Sequence, residues 1–300
     1  MSTPEFSLEF VDDPAAFLDA AEEHLAADPV LTTVIASVTR RIVASDAAGH
    51  PRGDHPRWWL LVRDDAGAMV GAAMRTAPFA PHPFYVLPMP DEAARDLARA
   101  LHERGEHVVG VNGALPAARI VADELARLDG RAVHVDEHLR LFEVRELIVP
   151  PAPAGRLRQA TRDDGELTLA WFLDFEAAAA EQAGRPVEGR KLEGFTLDDM
   201  LLRIDEGVIW LWEDESGEPV HVTGANPPAY GVSRVGPVYT PAEHRGHGYA
   251  SAAVADVSRH FLDQGVRVCL FADQANPTST KIYEALGYRP LTDMVSLVVR

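Results

Sequence analysis

Gly236-Pro237-Val238-Tyr239-Thr240-Pro241-Ala242-Glu243-His244-Arg245-Gly246-His247-Gly248-Tyr249-Ala250 is the stretch on which the reading of this chain turns. A β-prone run from 232 to 240 leads into a turn with two glycines, and a helix starts there. Beyond the turn, Ala250, Ala253, Val254, Val257 and Phe261 recur at steps of three and four, the stripe of a helix packed on a core. Gly265 follows as the residue that ends it. Gly246 and Gly248 let the backbone turn its N–H groups toward one point, and the helix adds its unpaired donors and positive dipole end. Such a nest suits a pyrophosphate, and His244, Arg245 and His247 concentrate positive potential around it. Taken alone, a glycine turn that merely starts a helix would read the same. A dinucleotide fingerprint requires a third Gly or Ala three places after Gly248, where this chain has Ser251, and there is no Gly-Lys-Ser/Thr of a P-loop. Gly236-Pro237 fits a bulge, because proline has no N–H for the ladder; a bulge would splay this strand from the next.

Working outward, residues 266–271 read as a strand, 277–286 as a helix and 295–299 as a closing strand. Upstream lie a strand at 156–160, helices over 166–180 and 197–204, and a hairpin of 208–212 and 220–222 around the turn residues 215–219. Val149-Pro150-Pro151-Ala152-Pro153-Ala154-Gly155 reads as an extended linker. The first half repeats the plan. It has helices at 17–25 and 31–43, strands at 58–62 and 69–74 and a strand at 84–87. A helix at 91–104, a strand at 107–111, a helix at 117–128 and a strand at 139–144 complete it. The expected fold class is therefore α/β, with two modules: residues 1–149, a linker at 150–155, and residues 156–300.

Arg245-Gly246-His247-Gly248-Tyr249-Ala250 resembles the R/Q-x-x-G-x-G/A signature of the GNAT (GCN5-related N-acetyltransferase) superfamily. Asn276-Pro277-Thr278-Ser279-Thr280-Lys281-Ile282-Tyr283-Glu284-Ala285-Leu286-Gly287-Tyr288 looks like that family's closing Asn…Tyr…Leu-Gly-Tyr/Phe helix. The resemblance is close over about 232–290. It implies two GNAT-like modules, each a mixed, centrally splayed sheet flanked by helices, and acetyl-CoA as acyl donor with no metal. It implies that Val238, Tyr239 and Thr240 pair with the pantetheine arm. The loop of Arg245, Gly246, His247, Gly248, Tyr249, Ala250 and Ser251 would hold the pyrophosphate, with Asn276 a further cofactor residue. It also implies that Tyr283 is the general acid for the departing thiolate. Asn276-Pro277 reads equally as an N-cap and first helical residue, and the two roles can coexist.

The reaction so implied is direct attack of a primary amine of a small molecule or peptide on the thioester. The rival reading is a non-catalytic acyl-CoA sensor. Family members with a carboxylate on the central strand are matched here by Ser233 and Arg234. Glu213, Asp214, His221 and Asp273 are the candidate bases, and none is singled out. The first module has Phe84-Tyr85-Val86-Leu87-Pro88-Met89-Pro90-Asp91-Glu92 at the corresponding place, with no glycine pair and with acids where a phosphate would go. It reads as a degenerate copy.

Composition agrees with this picture. The chain's 300 residues carry a formal net charge of −18, which disfavours nucleic acid and anionic membranes as partners and attracts cations. A single cysteine, Cys269, rules out an intrachain disulfide and reads as a buried structural thiol. Trp58, Trp59, Trp210 and Trp212 read as core or cleft-wall residues. Met1–Phe6 has no basic or apolar signal region, and the expected setting is the cytoplasm, as monomer or homodimer.

Overall fold

Alternation of Phe6, Leu8 and Phe10 with Ser7 and Glu9 makes the first described segment a half-buried strand, an element the sequence reading did not include. The computed structural model describes residues 6–50, 53–184 and 195–300. Met1–Glu5, most of the segment judged for a signal peptide, lie outside them. The chain divides into unit 1, Met1–Arg140 with Thr292–Arg300, and unit 2, Leu141–Leu291.

Unit 1 contains β1 (Phe6–Val11), α1 (Pro14–Ala27), α2 (Thr33–Ala47), β2 (Trp58–Asp64) and β3 (Met69–Arg75). It continues with β4 (Phe84–Val86), α3 (Asp91–Glu103), β5 (Gly110–Ala114), α4 (Ala117–Asp129) and most of β6 (Val133–Val144). Unit 2 takes the end of β6 and then β7 (Arg156–Gln159), α5 (Gly165–Gln182), α6 (Leu197–Asp205), β8 (Ile209–Glu213) and β9 (Pro219–Ala225). It goes on through β10 (Val232–Tyr239), α7 (Tyr249–Leu262), β11 (Arg267–Asp273) and α8 (Pro277–Ala285) into β12 (Tyr288–Val299). Among the described residues no helix is long and apolar enough to cross a membrane.

The mixed α/β class is as expected. The division differs from the one drawn at the prolines, because strand membership follows ladder partners rather than connections. In unit 1 the strand order is β1-β2-β3-β4-β5-β12, with Met294–Val298 of the last strand antiparallel to Ala114–Gly110. Val295, Leu297 and Val299 are buried there with Leu97, Leu101, Val121 and Leu125 of α3 and α4. In unit 2 the order is β6-β11-β10-β9-β8-β7. Phe142, Val144, Trp210, Val254, Val257, Phe261, Val268 and Leu270 form its core, each large side chain contributing about 1.5–3 kcal/mol by leaving water. Trp58, Trp59, Trp210, Trp212 and Cys269 are all buried.

The expected central splay is confined to unit 2. In unit 1, β4 is parallel to β5 from Phe84↔Val111 to Val86↔Gly113, and β4 ends where that ladder ends. Pro88 and Pro90 follow, with no N–H to offer, and Glu92 at the start of α3 is paired with Arg95 and Arg99. Among the described residues β4 does not extend past its ladder with β5. The two strands meet so closely at Gly113 that a Cβ there would lie 2.1 Å from the Val86 carbonyl oxygen. Gly113→Ala is therefore expected to destabilise the protein by roughly 3 kcal/mol, measured by urea denaturation.

Candidate functional site: a parted strand edge and a glycine nest

Val232, Ser233 and Arg234 of β10 pair in parallel with Arg267, Val268 and Cys269 of β11. Among the described residues that ladder goes no further, although β10 runs to Tyr239 and β11 to Asp273. The cause is local. On its other side β10 pairs Val235 with Ala225 and next Val238 with Thr223, so three steps on β10 match two on β9. The extra residue is accommodated at Gly236-Pro237, where Gly236 has φ 146°. Gly224 lies opposite because nothing larger fits: a Cβ there would be 2.9 Å from Phe172 and 3.1 Å from the Gly236 carbonyl oxygen. The bulge bends β10 away from β11, and the backbone from Gly236 to Tyr239 keeps one edge without a strand partner.

After Tyr239 the chain turns through Pro241 and a short 3-10 turn at Ala242–His244. Arg245 donates from Nε to the Thr240 carbonyl oxygen at 3.1 Å, and His247 from Nδ1 to that of His244 at 3.1 Å. Gly246 and Gly248 have φ of 84° and 85°, the left-handed region that favours glycine, and space at both is open. The requirement at these positions is therefore conformational. Gly248 is the N-cap of α7 without a side-chain cap, and the first helical bond runs from Ala252 N to the Gly248 oxygen. The amides of Tyr249, Ala250 and Ser251 precede that ladder and are the orphan donors of the helix. Tyr249 is held between His247, at 5.6 Å between ring centroids, and Trp212, at 6.2 Å. All seven loop residues expected at the pyrophosphate thus fall on one turn and one helix start.

Tyr283 lies on α8, 8% exposed, with its ring 6.0 Å from that of Tyr288. Burial pushes its hydroxyl up to about 12, so it stays protonated at neutral pH. Tyr288 is committed to structure: its hydroxyl lies 2.7 Å from Ser258 Oγ, which donates to the Val254 carbonyl oxygen. Asn276 is the N-cap of α8. Its Oδ1 accepts from the amides of Thr278 and Ser279, both at 3.2 Å, and its Nδ2 donates to Gln182 Oε1 at 3.1 Å. One polar end of the side chain caps α8 and the other ties it to α5, so the N-cap role that Asn-Pro suggests is present.

The candidate bases are equally engaged. Glu213 is hydrogen-bonded by Arg158 and Arg156, which hold its carboxyl below the usual range. Asp214 is lowered by Ser216 and the turn amides. Asp273 Oδ1 accepts from Ala275 N at 2.9 Å. His221 is fully buried, and desolvation pushes it down to about 3, so it is neutral and shut away from any substrate.

A groove that sequence reading did not anticipate lies between α5 and the segment after β10. It has a volume of about 580 Å³ and is lined by Trp171, Asp174, Glu181, Tyr239, Glu243 and Arg245, among others. Trp171 meets Tyr239 at 6.3 Å, and burial, then Asp174, raises the Tyr239 hydroxyl. The signal was present: Trp171, Asp174, Ala178 and Glu181 recur at steps of three and four on one helix face, but they are not an apolar stripe.

Comparison with solved structures shows the fold. A GCN5-related N-acetyltransferase from Sphaerobacter thermophilus aligns with a TM-score of 0.54 at 18% identity, over 100% of this chain and 96% of the other. A tandem GNAT protein from the clavulanic acid biosynthesis pathway gives 0.59 at 15%, over 98% of each chain. A Drosophila protein gives 0.67 at 12%, again over 98% of each. The chain has the GNAT fold, as the two sequence signatures implied. Within it, residues 227–296 match the family model described as FR47-like protein, a segment that contains β10, the glycine turn, α7, β11 and α8. None of the curated proteins compared matches the chain in sequence.

The buried imidazole has a measurable consequence. In the unfolded chain His221 takes up a proton near its ordinary value of about 6.5, whereas the folded chain resists until about 3. Its contribution to stability is complete above the unfolded value and falls as pH drops below it. Between pH values of about 6.5 and 5.5 the wild type is expected to lose about 1 kcal/mol more than His221→Asn, read by urea denaturation at each pH.

Proposed function

We propose that the chain is an acetyl-CoA-dependent N-acetyltransferase that passes the acetyl group directly to a primary amine of a small molecule or peptide. The observation that carries this reading is the unpartnered edge of β10 beside the nest of amides that starts α7. A pantetheine arm carries two amides and needs backbone partners, and Val238, Tyr239 and Thr240 supply them on a free edge. A diphosphate needs converging N–H donors and positive potential. The turn at Gly246 and Gly248, the first amides of α7 and the Arg245 side chain supply both. These residues fit the cofactor, which when bound supplies an acyl group activated as a thioester.

The remaining steps belong to the chain. Tyr283 carries a proton at its hydroxyl oxygen, as a tyrosine does at neutral pH, for delivery to the leaving sulfur. The groove with Asp174, Glu181 and Glu243 beside Trp171 and Tyr239 suits an acceptor that arrives as a cation, by charge and by the faces of its rings. An alkyl ammonium has a pKa of about 10.4 and must lose a proton before it can attack. With Glu213, Asp214 and His221 engaged, that proton leaves through water at the mouth of the groove. Unit 1, where β4 ends with its ladder to β5 among the described residues, serves as support rather than as a second active site.

Calorimetric titration with CoA is expected to give one site per chain, and a second stoichiometric site would contradict the role given to unit 1. With an amine panel and a thiol-release assay, Tyr283→Phe is expected to lower turnover about 100-fold or more while leaving CoA affinity in place. Unchanged turnover removes Tyr283 from the mechanism. Gly248→Glu forces a side chain onto a backbone of φ 85° and places an anion at the nest, and is expected to abolish CoA binding in the same titration.

A further inference from the structure

We infer that His221 is a positioning residue: through the Thr240 hydroxyl it anchors the end of β10 and so fixes the turn that carries Arg245 and the glycine nest. His221 sits within β9, fully buried, with both ring nitrogens engaged. Nδ1 lies 2.7 Å from Thr240 Oγ1 and Nε2 lies 2.7 Å from Thr223 Oγ1, which is itself buried. A neutral imidazole has one donor and one acceptor, so one threonine accepts from the ring and the other donates to it.

The place of this bond gives it its importance. β10 leaves β11 after Arg234, so among the described residues its strand partner from Gly236 onward is β9 alone. The last ladder partners are Val238↔Thr223 and Tyr239↔Val222, and the next position pairs Thr240 with His221 by side chains. Thr240 in turn accepts Arg245 Nε through its carbonyl oxygen at 3.1 Å. The row Thr223, His221, Thr240, Arg245 therefore runs from the interior of the sheet to the turn. A buried charged anchor would need a counter-charge, and a second strand would close the edge. A neutral, fully bonded imidazole holds the strand end and leaves that edge free.

The effect on CoA rests on the acetyltransferase reading, whereas the anchoring itself does not, and two measurements separate them. The first is hydrogen–deuterium exchange of the full chain without ligand, read at residues 240–248. The second is calorimetric CoA binding. His221→Leu is expected to speed exchange in the turn and to weaken CoA, each by about tenfold, the worth of one buried hydrogen bond. His221→Asn presents an amide where Nδ1 stood and is expected to restore both. Thr223→Val breaks the other bond to the same ring and is expected to lower the melting temperature without altering either readout. Thr240→Val removes the hydroxyl at the far end, and faster exchange in the turn is expected there too, which keeps the test available if His221→Leu does not fold. Unchanged exchange in folded His221→Leu or in Thr240→Val overturns the inference, as does a Thr223→Val effect on the turn equal to that of His221→Leu. If the wild type binds no CoA, the acetyltransferase reading fails and the exchange data alone decide the anchor.

Discussion

An interior β-strand must satisfy two neighbours, and β10 satisfies both only as far as Arg234. One surplus residue at Gly236-Pro237 shifts its register against β9, and the strand turns off the line of β11. What would be a defect in a purely structural sheet leaves a row of main-chain donors and acceptors without a strand partner among the described residues. Everything else in unit 2 is arranged about that row. Gly224 makes room for the bulge, and α7 starts where the parted strand ends. The α5 helix passes beside it and is joined through Gln182 to the cap of α8.

Charge is distributed to match. The chain as a whole is strongly acidic, yet His244, Arg245 and His247 gather at the helix start, where orphan amides add to the field. A short distance along the same turn, Glu243 lies in a groove with Asp174 and Glu181. An anion and a cation could thus be drawn to adjoining places, which is the electrostatic condition for joining a polyphosphate-bearing donor to an amine.

Much of this was readable from residues close in sequence. The glycine turn, the stripe on α7, the bulge and the hairpins are local patterns, and each is found where it was expected, although β9 runs three residues past its expected end. Asn276-Pro277 announced the N-cap that Asn276 forms, but the bond from Asn276 to Gln182, far away in sequence, was not legible. His221 stood among the possible bases because a histidine in sequence is a titratable group. Its complete burial between two threonines depends on the register of β9 and β10, which no run of residues displays. The two units differ in their bounds from the division drawn at the prolines for the same reason. Three prolines mark a connection well, but they carry no information about which strand the last residues of the chain will pair with.

That last pairing also governs how the protein is made. Unit 1 takes its final strand from residues 292–300, and Ala132 and Arg300 exchange both main-chain hydrogen bonds. On the ribosome, the segment that forms β5 emerges with the edge that pairs with β12 bare, and stays so until residues 292–300 have been made. Exposed strand edges are templates for wrong association. The two units are therefore synthesised in order but cannot be finished in order: unit 1 is completed by residues 292–300, which are made after unit 2.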